Sequence, residues 1–179
     1  RDCTKLTKIT GLNSLGTTEG ALTFIEAMFA YCSKLVSVDL SSNMDTSNVT
    51  SMAGLFVGCE SLESLPISSF TISSSCATED MLALGENNMI MEFTAPKSIA
   101  SGISIKLTVH SAKSRMYVTL YDSTGLPYQT AVTALTSTHQ GEYIWRGAVL
   151  TLNTDGMYEI DTSTASEEEY TWELSSDKD

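Results

Sequence analysis

The sequence has few basic residues and no long apolar run. Ten lysines and arginines stand against 22 aspartates and glutamates, for a net charge of −12, and both halves of the chain share the acidic excess. With no basic patch, nucleic acid and anionic membrane are poor partners. No stretch approaches the roughly 18 consecutive apolar residues of a membrane-spanning helix. We therefore expect no nucleic-acid partner and no membrane insertion.

Catalytic and metal-binding motifs are also missing. The chain has no Gly-x-Ser-x-Gly elbow, no phosphate-binding Gly-rich loop and no His-Glu-x-x-His pair. Its two histidines, His110 and His139, are isolated, and no Cys-x-x-Cys pair offers a metal site. The acidic run 167–169 is typical of a solvated loop. We expect no enzyme, no catalytic residue, no metal site and no cofactor.

A repeat is the strongest positive signal. A Cys is followed by Leu three residues later and by an aliphatic residue after three more, with 29 and then 27 residues between copies. Self-similarity at this period is typical of solenoids, whose units bury their apolar faces against neighbours. The copies are Cys3-Leu6-Ile9, Cys32-Leu35-Val38 and Cys59-Leu62-Leu65.

A second pattern precedes each later copy of the repeat. Four apolar residues at i, i+3, i+6 and i+7 recur after 27 residues, which predicts one stripe of a short helix. They are Leu22, Ile25, Met28 and Phe29, then Val49, Met52, Leu55 and Phe56. The polar run 45–48 supplies oxygens for a helix N-cap. The patterns thus predict a short helix plus a strand in each unit. The third unit departs from the repeat, which predicts a terminal cap that ends near residue 88.

The cysteines of the repeat occupy one position and would stack along one face of the core. Neighbouring units could bring two of them close enough for a disulfide, although the required geometry is demanding. The alternative is a row of buried thiols that act as small apolar fillers. We favour the buried thiols, because cysteines at a repeat position are usually packing residues.

The second unit resembles a known family. Its Asp45-Thr-Ser-Asn-Val-Thr-Ser-Met52 run, Phe56 and the following Gly-Cys-x-x-Leu-x-x-Leu are similar to the BspA-like leucine-rich repeats of bacterial surface proteins. The resemblance covers about residues 1–70. It implies an extracellular or bacterial cell-surface location and binding of host or matrix partners, with no catalytic residues to carry over. Similar repeats occur in phage structural proteins, which keeps a virion location open.

The chain opens inside a repeat. Only Arg1 and Asp2 precede Cys3, whereas the later copies have Phe29-Ala30-Tyr31 before Cys32 and Phe56-Val57-Gly58 before Cys59. We expect the chain to be the C-terminal part of a longer protein with further repeats upstream.

From residue 89 the periodicity changes to two. Residues 103–109 and 116–120 alternate apolar with polar side chains, and Gly125 and Gly156 end turn signals. Six or seven short strands predict an all-β antiparallel sandwich over residues 89–179, beside a leucine-rich-repeat-like solenoid over 1–88. The Gly156-x-Tyr158-x-Ile160 run resembles the tyrosine corner of immunoglobulin-like domains.

Paired aromatics are the one functional hint in the second half. Tyr143 and Trp145 lie two residues apart and share a face of their strand. Such flat faces stack on sugar rings in carbohydrate-binding sandwiches. The alternative, which we favour, is that these side chains fill the core, because large aromatics are mostly buried.

Together these patterns favour a non-catalytic binding or adhesion protein with protein or glycan partners. Alternation on the repeat strands assigns five polar residues to an exposed binding face, namely Ser37, Asp39, Ser41, Glu63 and Ser64. The alternative is a structural part of a larger assembly, a phage virion or a surface layer, which would form a homo-oligomer. A third possibility is an accessory carbohydrate-binding module that uses Tyr143 and Trp145.

Overall fold

The described part of the chain consists mainly of short strands and turns. The computed structural model describes residues 1–12, 22–40, 44–86, 92–110, 115–121, 135–140, 143–152, 158–161 and 169–175. The strands are β1 (Lys8–Ile9), β2 (Ser37–Val38), β3 (Ser64–Pro66), β4 (Thr71–Ile72), β5 (Leu82–Glu86), β6 (Glu92–Thr94), β7 (Ser98–Ile99), β8 (Ser104–His110), β9 (Arg115–Tyr121), β10 (Leu135–Gln140), β11 (Tyr143–Leu152), β12 (Tyr158–Asp161) and β13 (Glu169–Ser175).

Eleven of these strands form one mixed sheet. Its order is β1-β2-β3-β6-β9-β12-β11-β13-β8-β5, with β10 paired to β11, while β4 and β7 form a separate parallel pair. The pairings from β1 through β9 are parallel, and so is that of β5 with β8. The pairings that link β9, β12, β11, β13 and β8 are antiparallel.

The predicted fold class is wrong. A leucine-rich-repeat-like solenoid of short helix plus strand requires helices, and the described residues contain no α-helix. The expected separate antiparallel sandwich is also not what forms, because β6 pairs in parallel with both β3 and β9. One sheet with parallel and antiparallel parts replaces the two expected architectures.

The helices fail to form because their backbone N–H groups bond elsewhere. Three turn segments, residues 24–31, 51–58 and 77–83, lie side by side, and every second N–H donates to a carbonyl of the next segment. An α-helix needs those N–H groups for carbonyls four residues earlier. This backbone ladder consists of Ile25→Ser51, Ala27→Ala53, Phe29→Leu55 and Tyr31→Val57, then Met52→Ala77, Gly54→Glu79, Phe56→Met81 and Gly58→Ala83, with N···O distances of 2.7–3.1 Å.

Left-handed residues recur at equivalent points of the ladder. Ala27, Gly54 and Asp80 have φ of 50°, 60° and 52°. Tyr31 and Gly58 form a second such column at 57° and 69°. An L-residue in this region loses roughly 1–2 kcal/mol relative to the right-handed form. A right-handed helix requires a negative φ at every residue, so it cannot pass through these positions.

The polar run before the second turn segment is tied to β4 and does not cap a helix. Asp45 Oδ1 accepts the N–H of Ser47 at 2.9 Å, which is an Asx-type turn. The Thr46 hydroxyl donates to the Thr71 carbonyl at 3.0 Å and accepts the Thr71 N–H at 2.8 Å. Thr46 is 0% exposed, so these two bonds satisfy a fully buried hydroxyl.

The apolar side chains of the repeat nevertheless face a common core. A fully buried Val, Leu, Ile, Phe or Met side chain contributes roughly 1.5–3 kcal/mol to the free energy of folding, because it is removed from water. The rings of Phe29 and Phe56 stack across adjacent turn segments with centroids 5.3 Å apart. Other buried members of the repeat include Ile25, Leu35, Val38, Val49, Met52, Leu55, Leu62 and Leu65.

Strand pairing crosses the expected division at residue 88. β3 pairs with β6, and β5 pairs with β8, so hydrogen bonds join residues on both sides of that point. The division into domains 1–88 and 89–179 stays a prediction. Within the described residues, no apolar helix of membrane-spanning length occurs.

Replacing Thr46 by Val should destabilise the protein by about 1–3 kcal/mol, because it removes the hydroxyl that bonds to the half-buried N–H and carbonyl of Thr71. Thr46→Ser keeps the hydroxyl and serves as the matched control, with a smaller loss from the missing methyl group. Urea unfolding of the three proteins measures the difference. Equal stability of the Val variant and the wild type would show that this hydroxyl bridge is not needed.

Candidate functional site: a polar cleft beside strand β8

A polar cleft lies where the third turn segment meets β8. It has a volume of about 320 Å³. One wall comes from residues 78–83 and the other from β8. The lining residues are Thr78, Glu79, Asp80, Ala83, Ser104, Lys106 and Thr108.

Alternation along β8 forms one wall of the cleft. Ile105 and Leu107 are 1% exposed and belong to the core. The residues that alternate with them along β8 therefore lie on the opposite side of the strand. That opposite side carries a hydroxyl, an ammonium and a second hydroxyl, from Ser104, Lys106 and Thr108. This wall is hydrophilic because β8 is apolar only on its core side.

The cleft opens because β5 pairs with β8 only from Leu82 onward. Leu82 lies opposite Leu107, and a register shift follows between Ala83 and Gly85. Before Leu82, the Thr78 hydroxyl reaches the Ser104 carbonyl at 3.1 Å. The cleft lies between this side-chain bridge and the start of strand pairing.

The backbone of Asp80 contributes a hydrogen-bond donor. The equivalent N–H groups of Ala27 and Gly54 donate to the next turn segment, and Asp80 has the same left-handed φ. The neighbour of Asp80 in that direction is β8. Within the described residues the ladder does not continue from the Asp80 N–H. Its equivalence to the amides of Ala27 and Gly54 indicates that this N–H points toward β8.

Charged groups of both signs surround the cleft. Glu79, Asp80 and Lys106 are exposed. Glu173, also exposed, lies opposite Lys106 in the register of β13 with β8, and its carboxylate accepts the Ser104 hydroxyl. Among the described residues the ion pair that forms lies away from the cleft residues in the sequence, between Arg1 and Asp2 at 3.9 Å.

These groups can hold a polar molecule by hydrogen bonds. Hydroxyls, carboxylates, an ammonium and a backbone amide converge on one small cavity, as in sites where a few polar groups fix a ligand's orientation. No set of three His, Cys, Asp or Glu able to hold a metal ion occurs in the described part of the chain.

The residues predicted for the repeat face lie elsewhere on the sheet. Ser37 of β2 pairs directly with Ser64 of β3, and both are half-buried on the side opposite the core residues Val38 and Leu65. Asp39 and Glu63 are exposed next to these strands. Ser41 lies outside the described residues. The structure thus brings Ser37 and Ser64 together on one polar strip of the sheet.

The predicted aromatic pair lies on β11. Tyr143 is opposite Gln140, and Trp145 is opposite both Thr138 and Leu174 in the backbone register. The placement of their rings lies outside the described part of the structure. β6, β9 and β12 separate β11 from β3 in the strand order, so the predicted residues fall in two places.

The sequence predictions missed the cleft. In the sequence, Ser104, Lys106 and Thr108 alternate with apolar residues, which indicated a strand with one solvent-exposed face. The opposite wall had no comparable signal, because Glu79 and Asp80 sit in a unit that departs from the repeat.

The cysteines are free thiols, and three of them are buried. Burial, followed by the neighbouring Cys32, raises the pKa of Cys59 to about 12, and its Sγ–H donates to the Phe29 carbonyl at 3.1 Å. Burial also raises the pKa of Cys32 and of Cys76. Such protonated thiols are poor nucleophiles, which agrees with the interpretation of Cys32 and Cys59 as core residues. Cys3 is exposed.

Comparison with known proteins gives one match. A family model described as "Mycoplasma protein of unknown function, DUF285" matches residues 10–96, a little under half of the chain. The chain is similar to that family over this stretch, and the description assigns no function. No curated protein matches the chain, and no solved structure matches it. The resemblance to BspA-like repeats stays a prediction.

The pKa of Cys59 predicts a pH effect on stability. Folding raises it from 9.0 to about 12, so the unfolded chain loses this proton first as the pH rises. The protonated Cys59 thiol therefore contributes to the free energy of unfolding below about pH 9, and this contribution is lost as the pH rises toward 12. Urea unfolding at several pH values should show a steeper alkaline loss for the wild type than for Cys59→Ala. Parallel curves for the two proteins would contradict the assignment.

Proposed function

We propose that the protein is a non-catalytic binding or adhesion protein of a bacterial surface, with a protein or glycan partner. The observation that carries this proposal is the polar cleft between residues 78–83 and β8. Its lining offers donors and acceptors on a rigid strand and on a turn held by the backbone ladder. Preorganised polar groups of this kind lower the cost of fixing a ligand.

A second surface supports the same proposal. Lys8, Ser37, Ser64 and Glu92 occupy one row across four parallel strands, and their neighbours Val38, Leu65 and Phe93 lie in the core. Residues on this row can change without disturbing the core behind it. Such a strip suits variable polar contacts with a larger partner.

The chemistry of the cleft favours binding over turnover. The thiol of Cys59 has a raised pKa and bonds to a carbonyl in the core, away from the residues that line the cleft. The lining side chains are hydroxyls, carboxylates, one ammonium and one methyl group. These groups can orient a ligand through hydrogen bonds without forming or breaking covalent bonds.

A structural part in an assembly is the second candidate. In the part of the chain that the structure describes, β1 stands at the end of the strand order and pairs with β2. Leu6, Ile9 and Leu12 beside it are only partly buried against the core. An edge strand can pair with a strand of another chain. The position of β1 at the end of the strand order is therefore the observation that favours this candidate. Light scattering distinguishes the two, since a monomer of 19.3 kDa supports a binder and a discrete oligomer supports an assembly part.

A binding screen with a blocked cleft tests the lead proposal. The chain is probed against arrays of immobilised glycans and matrix proteins, together with Ala83→Phe, whose ring would fill the cleft. The matched control is Val57→Phe at the equivalent position of the preceding turn segment. The expected result is saturable binding that Ala83→Phe weakens by at least about tenfold, or 1.4 kcal/mol, while Val57→Phe retains it. No ligand on either array, or equal binding by both variants, would contradict the proposal.

A further inference from the structure

We infer that the polar cleft binds an uncharged sugar unit of a glycan. The inference rests on the proposed binding function and names its ligand class. It follows from the mixture of hydrogen-bonding groups, the balance of charges and the size of the cleft. The relevant residues are the turn Thr78–Asp80 and the outward side of β8.

Hydrogen-bond donors and acceptors alternate around the cleft. Lys106 can donate, as would the Asp80 N–H, and the carboxylates of Glu79 and Asp80 can accept. The Thr78 hydroxyl, which donates to the Ser104 carbonyl at 3.1 Å, can also accept. Every hydroxyl of a sugar is likewise both a donor and an acceptor. A cation would use only the acceptors and an anion only the donors, so a polyhydroxylated ligand matches the lining more completely than either ion.

The charges oppose an ionic ligand of either sign. A basic side chain that approached Glu79 and Asp80 would meet the ammonium of Lys106 on the facing wall. An acidic ligand that approached Lys106 would meet those carboxylates and Glu173, which lies opposite Lys106 in the strand register. Like charges at a few ångströms repel strongly in a partly desolvated site. A neutral polar ligand avoids both conflicts.

The dimensions favour a short stretch of glycan. The volume of about 320 Å³ is near the lower end of the range for small-molecule sites, roughly 300–1,000 Å³. Exposed Glu79, Asp80 and Lys106 line its rim, so a longer chain can continue into solvent. The cleft therefore fits a terminal or projecting sugar and not an extended chain along its whole length.

Calorimetric titration with two ligand sets tests the inference. The first set contains uncharged di- to tetrasaccharides of glucose, galactose, mannose and N-acetylhexosamines, and the second contains lysine- and arginine-rich peptides. The expected result is saturable binding of at least one saccharide with an affinity that does not change with salt. Binding by a basic peptide alone, weakened by salt, would overturn the sugar assignment and leave the proposed binding function intact. Binding by neither set would overturn both the inference and the cleft as a binding site.

Variants then tie saccharide binding to the cleft. Lys106→Ala removes a charged donor and should weaken binding by about tenfold or more, whereas Lys106→Gln retains a donor and should restore part of it. Lys5→Ala, an exposed lysine near β1, is the matched control and should bind as the wild type does. Thermal unfolding verifies that each variant folds. Undiminished saccharide binding by folded Lys106→Ala and Glu79→Gln would show that the sugar binds elsewhere and overturn the inference.

Discussion

The backbone ladder between the turn segments is the interaction on which the rest of the structure depends. Its hydrogen bonds run between residues 24–31, 51–58 and 77–83, each about one repeat apart in the chain. They hold the left-handed residues in register and direct the repeat's apolar side chains into one core. On the other side of that core the short parallel strands repeat the same register, as in the pairing of Ser37 with Ser64. A two-residue strand contributes little alone, so its position depends on this repeated arrangement.

The candidate site follows from the end of the ladder. Ala27 and Gly54 each donate to another turn segment, but Asp80 faces a regular strand, β8, whose pairing starts only at Leu82. The mismatch between an irregular segment and a strand leaves the polar cleft. The Ala27 and Gly54 amides bond within the fold, and we propose that the equivalent amide of Asp80 bonds to a ligand. In the described structure the fold and the proposed binding function are thus linked through one hydrogen-bonding group.

The sequence predicted which side chains are buried better than it predicted the backbone. The stripe that includes Ile25, Phe29, Met52 and Phe56 does face the core, but a period near 3.6 reports only which residues share a face. It does not report whether an N–H bonds four residues back or to a segment 26 residues away. Periodicity also predicted the outward side of β8, because the alternation at Ile105 and Leu107 reports which residues share a face of the strand. The facing turn was not, because its contact with β8 is long-range and leaves no local pattern around Asp80.

The proposed site depends on the ladder ending at Asp80 with the amide of that residue directed at the cleft. Amide hydrogen exchange in the native protein, resolved by residue, tests this most directly through three equivalent positions. We expect strong protection of the Ala27 and Gly54 amides, whose N···O distances are 2.9 and 2.8 Å, and rapid exchange at Asp80. Protection of Asp80 equal to that of Gly54 would contradict it, because the ladder would then continue to β8 and no donor would face the cleft.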